Sequence, residues 1–143
     1  MPIPPFAEGG LLPPGLHRAS LDAIADRFGT GAGAREELTA RLQRLVGLAR
    51  HVQARRLLVD GSFVTSKPEP NDLDVVVWLD LGYLHMLDEE DATAQTLEWM
   101  IVTRSPDDVF AVYNESGWNQ WVDFFSQVRG NETQRKGVVE VEL

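Results

Sequence analysis

Between Leu57 and Leu79 the chain reads LLVDGSFVTSKPEPNDLDVVVWL. Two apolar runs of strand length flank a Gly-Ser pair and a polar loop that carries two prolines. Such a stretch predicts a buried strand over 57–60, a turn at Gly61-Ser62, a loop over 63–71 and a second buried strand over 72–79. The second strand opens on two carboxylates, Asp72 and Asp74. Alternate side chains of a strand share a face, so both acids are expected on one side of the sheet. Like charges that close repel, and a divalent cation between them relieves the repulsion. On the same argument Asp72→Asn should stabilise the metal-free protein.

Around this unit the 143 residues leave room for one domain with a core of its own. The balance of 13 Lys+Arg against 22 Asp+Glu, a formal charge of -9, argues against extended DNA binding, which depends on neutralising many phosphates. The chain contains no cysteine, which excludes a disulfide framework and a thiolate zinc site. His17, His51 and His85 lack zinc-ligand spacing and read as ordinary surface or packing residues. No apolar run approaches the ~20 residues that span a bilayer, and no basic-then-apolar leader opens the sequence. A cytoplasmic protein without membrane contact is the expectation.

In chain order, residues 1–15 form a Pro/Gly-rich N-terminal arm. The arm is either disordered or, as Ile3, Phe6, Leu11 and Leu12 favour, laid over the domain that occupies 16–143. Ser20 should cap a helix over 21–28, and the glycine-rich 29–33 reads as a linker. A long amphipathic helix is expected over 35–54. Its arginines, with Arg55 and Arg56 beyond it, form either a solvated face or a substrate-facing patch. Gly82 should mark a break. A helix over 88–103 would carry Asp88, Glu89, Glu90 and Asp91 in its first turn, where the helix dipole favours acids. Residues 108–113 read as a third strand and 118–128 as a helix with an aromatic packing stripe. The tail KGVVEVEL reads as a half-buried strand at a sheet edge. The fold class is therefore α/β, more narrowly α+β: a small mixed β-sheet with helices packed on it.

Gly61-Ser62, nine further residues and then Asp72-Leu73-Asp74 within an apolar strand resemble the signature of nucleotidyltransferases of the DNA-polymerase-beta superfamily. The longer text DGSFVTSKPEPNDLDVVV, with the leading PPF and GLLPPG and the trailing KGVVEVEL, resembles a group of small bacterial proteins of unknown function. Those are regarded as minimal nucleotidyltransferase-like domains. The resemblance implies a nucleotidyltransferase-like fold with Asp72 and Asp74 as the first two ligands of Mg2+ or Mn2+. A third ligand is expected on a later strand, Asp108 or, one register away, Asp107. It further implies that Gly61 and Ser62 hold the triphosphate of an NTP, with Lys67 within reach of phosphate or simply solvated. Asp60 departs from the pattern, standing where an apolar or aromatic residue is common.

The implied activity moves an NMP from an NTP to an acceptor hydroxyl on RNA such as tRNA, on protein or on a small molecule, as a toxin or defence component. The competing expectation is a catalytically inactive module of a toxin–antitoxin pair that binds a nucleotide or a partner. Either form could work through a partner protein or as a homo-oligomer.

Overall fold

The structure is a computed structural model that describes residues 3–143; Met1 and Pro2 of the expected arm lie outside the described residues. Five strands form one mixed sheet. They are β1 (Gly15–Ala19), β2 (Arg56–Asp60), β3 (Asp74–Trp78), β4 (Asp108–Val112) and, last in the chain, β7 (Gly137–Val141). Their order is β1-β7-β2-β3-β4. The outer pairs β1/β7 and β3/β4 run parallel, and β2 is antiparallel to both of its neighbours. A two-stranded ribbon, β5 (Gln127–Val128) with β6 (Asn131–Arg135), stands apart from it.

Alternate residues of the strands feed two cores. Leu57, Val59, Val75, Val77, Val109, Val139 and Val141 face one side. There they meet α1 (Leu21–Phe28), α2 (Gly33–His51), α3 (Leu81–Asp88) and α4 (Ala92–Thr103) through residues such as Phe28, Leu42, Tyr83 and Leu97. Leu58, Val76, Trp78, Val112 and Val138 face the other side and pack on Trp118 and Phe125 of α5 (Glu115–Ser126). A sheet covered on both faces needs apolar residues at consecutive positions, which accounts for the unbroken VVVW of β3.

The described part of the arm lies on the domain, with Ile3 and Phe6 packed against the core. Phe6 packs on Phe28, and Arg27 donates to the Ile3 and Pro4 carbonyls. The Ser66 N–H bonds the Gly10 carbonyl and the Gly137 N–H bonds that of Leu12, both at 2.9 Å.

Several boundaries differ from the sequence reading. The tail strand is not an edge: β7 lies between β1 and β2 with all five residues buried. The strand outside it, β1, follows directly on the arm. Glu140, which should face water, is 2% exposed and is held by Arg56 through bonds of 2.7 and 2.6 Å. Gly82 lies in the first turn of α3, where its N–H bonds the capping Asp80. Asp88 ends α3 and Glu89 caps its C-terminus, so the acids do not fill a first turn; Asp91 is the N-cap of α4, accepting from the Ala94 N–H. Helix α5 begins earlier than expected because Asn114 caps it.

Candidate functional site

Asp60, Asp74 and Asp108 lie level on three adjacent strands. Asp74 is the register partner of Asp60 across β2/β3 and of Asp108 across β3/β4. Register partners project to the same face, so the three acids form a row on the α5 side at one end of the sheet. Asp72 precedes β3 and reaches the same place from the loop. The four line a cleft of about 1280 Å³ whose rim includes Gly61 and Ser62. Part of its lining is aromatic, from Phe110, Trp121, Phe124 and Phe125, and the hairpin of β5 and β6 supplies Arg129 and Arg135. The Phe110 and Trp121 rings stand 4.4 Å apart.

The Gly-Ser turn is shaped by the acid segment. Gly61 has φ +94°, and a Cβ there would come within 2.7 Å of the Asp72 carbonyl oxygen. Only glycine allows the two strands to approach so closely at this turn. Ser62 closes the contact: its N–H donates to the Asp72 carboxylate at 2.8 Å and its hydroxyl donates to the same oxygen. The Asn71 and Asp72 N–H groups in turn donate to the Ser62 hydroxyl. Ser62's donors therefore hold Asp72 instead of facing the open cleft.

The four carboxylates differ in their company. Asp60 is 6% exposed and takes the Lys136 ammonium at 2.7 Å; burial raises its pKa against the pull of that lysine. Asp72 is engaged by Ser62. Among the described residues the Asp74 and Asp108 carboxylates have no such partner. Partial burial, with Asp72, Asp60 and Asp108 nearby, pushes the Asp74 carboxyl up to about 6. The alternative third ligand, Asp107, points away from the cleft. It is 4% exposed and forms a two-pronged pair with Arg41 of α2. Asp108 is the acid at the cleft.

Lys67 is not brought to the acids. It lines a separate shallow hollow with Gly31, Ala32, Arg35, Pro68 and Glu69. The cations at the acid cleft are Lys136, Arg129 and Arg135, none of which the motif spacing indicates. Most of the other arginines serve the fold. Arg56 holds Glu140 and lies over Trp118, and Arg55 lies over Trp78. His17 bonds the Pro13 carbonyl, His51 meets Asp91 and His85 meets Glu89, so no two of them share a site.

The donor set suits a hard divalent cation, with oxygen ligands and two carboxylates free to bind. Magnesium is commonly held by one or two carboxylates together with water and substrate phosphates. Among the described residues no three acid or imidazole groups form a ready metal cluster, so an ion at Asp74 and Asp108 would draw further ligands from solvent or substrate.

Residues 4–142 match the sequence profile of one protein family. The chain belongs to DUF6932, a family of unknown function. The match to DUF6932 takes in the whole acid row, the Gly-Ser turn and Lys136. No curated protein matches the chain, and no solved structure does. Among the described residues, no helix of this DUF6932 member is long and apolar enough to cross a membrane.

Proposed function

We propose that this protein is a nucleotidyltransferase dependent on Mg2+ or Mn2+, moving an NMP from an NTP to an acceptor hydroxyl on RNA, protein or a small molecule. One observation carries the reading. Asp74 and Asp108 are register partners with free carboxylates, level with a glycine turn on the rim of a large cleft. A divalent ion held there would neutralise charge at the phosphates during an in-line displacement. Asp74 and Asp108 hold that ion, and Asp72 is fixed beside them by Ser62. Arg129 supplies positive charge for the phosphate oxygens, and the aromatic wall offers a flat surface to the base. The acceptor oxygen bonds to the α-phosphorus, pyrophosphate leaves, and the hydroxyl proton passes to a cleft carboxylate.

The test incubates purified protein with α-phosphate-labelled NTPs, Mg2+ or Mn2+, and acceptors that include total tRNA. Label in an acceptor that disappears with Asp74→Ala is the expected result. The second reading is an inactive module of a toxin–antitoxin pair that binds a nucleotide or a partner. It is favoured by the internal satisfaction of half the acids, Asp60 by Lys136 and Asp72 by Ser62. It predicts no transfer to any acceptor, together with a nucleotide-induced rise in melting temperature.

A further inference from the structure

The geometry points to Lys136 as a resident cation that occupies the β2 end of the acid row and limits the cleft to a single divalent ion, at Asp74 and Asp108. This rests on the metal-dependent reading above and narrows it. Three in-register carboxylates on neighbouring strands offer a continuous line of oxygen ligands, room in principle for two ions. The first of the three is already taken: the Lys136 ammonium lies 2.7 Å from the Asp60 carboxylate, and both side chains are largely shielded from water.

Lys136 is also anchored through its backbone. Its N–H bonds the Ser126 carbonyl at the end of α5, and the next residue's N–H bonds the Leu12 carbonyl of the arm. The side chain therefore leaves a fixed point and ends on a fixed partner. The ammonium neutralises the Asp60 carboxylate and occupies its oxygen, which leaves Asp60 unable to share a second ion with Asp74, while Asp108 on the other side of Asp74 stays open. Asp60 is a buried acid, and the lysine is the counterpart that makes it tolerable there.

Counting bound Mn2+ by electron paramagnetic resonance tests this without reference to turnover. The full chain is expected to bind one Mn2+, lost or weakened at least tenfold in Asp74→Asn and in Asp108→Asn. Lys136→Gln frees the Asp60 carboxylate and should raise the count to two, Lys136→Arg should keep it at one, and adding Asp60→Asn to Lys136→Gln should return it to one. Circular dichroism checks that each variant is folded. Two ions in the unmodified protein overturn the inference and leave the transferase reading standing. A folded Lys136→Gln that still binds one ion also overturns it, since the lysine is then only a structural partner of Asp60. No ion bound at millimolar Mn2+ overturns the inference and the metal-dependent reading together. Should Lys136→Gln not fold, Lys136→Met is counted in its place, with two ions expected and one ion overturning the inference.

Discussion

Asp74 is the residue at which folding and the proposed chemistry pull apart. Its folded pKa of about 6 lies above the ordinary 3.8, so the folded chain keeps a proton that the unfolded chain gives up. Stability therefore falls as pH rises between those two values and levels off above them. Asp74→Asn should stabilise the protein by about 1–2 kcal/mol at pH 8, after allowance for solvent screening. The gain should vanish below pH ~4, where both forms are neutral. Urea titrations at the two pH values check this. The repulsion argument drawn from the sequence placed the relieving substitution at Asp72. The Ser62 bonds move it, because Asp72→Asn would weaken a carboxylate that accepts two hydrogen bonds. Gly61→Ala tests the turn itself. The positive φ and the close approach to Asp72 predict a loss of about 1–3 kcal/mol in the same assay.

At the scale of elements, α2 controls the loop that carries the motif. Arg35 is 8% exposed and donates to the carbonyls of Phe28, Phe63, Thr65 and Lys67. Its four acceptors are neutral carbonyls, and burial lowers its pKa. Arg35→Met should cost about 2–4 kcal/mol by stranding those carbonyls. Hydrogen exchange should show protection lost first at Phe63 and Ser66, whose N–H groups bond Asp72 and Gly10.

The same scale shows what could be read ahead of the structure. Helix α1, with Ser20 as its cap, and the strands β2, β3 and β4 follow from local pattern, because their apolar residues recur at the right period. Of the acids at the cleft, the sequence pointed not to Asp60 but to Asp72, Asp74 and the choice between Asp107 and Asp108. A spacing argument cannot separate those last two, since adjacent strand residues differ only in which face they take, and Arg41 on a distant helix decides it. β1 was hidden because GLHRA alternates weakly and sits beside a proline-rich arm. Missing it made the last strand look like an edge. Glu140 strengthened that impression, since its burial depends on Arg56, 84 positions away. The α5 stripe was read as packing alone. Trp118 and Phe125 do pack, but Phe124 is 54% exposed and lines the cleft with Trp121.

For the molecule as a whole, the acidic charge and the cleft make opposite demands on partners. A surface at -9 repels polyanions, so duplex DNA should show no measurable binding at physiological salt in an anisotropy titration. A divalent cation should be welcome. Saturating Mg2+ at about 100 times its dissociation constant would stabilise the chain by about 2.7 kcal/mol. Differential scanning calorimetry should show that gain in the native protein and not in a chain carrying Asp74→Asn with Asp108→Asn.

The parallel pairing of β1 with β7 joins Gly15 to Gly137 and Ala19 to Val141. A contact between positions so distant can form only after residues 137–141 have been made. The N-terminal strand has no neighbour until then, while β2 can already pair with β3. Closure of the five-stranded sheet is therefore its last step, and a chain cut short before Gly137 would leave the first strand with nothing to join.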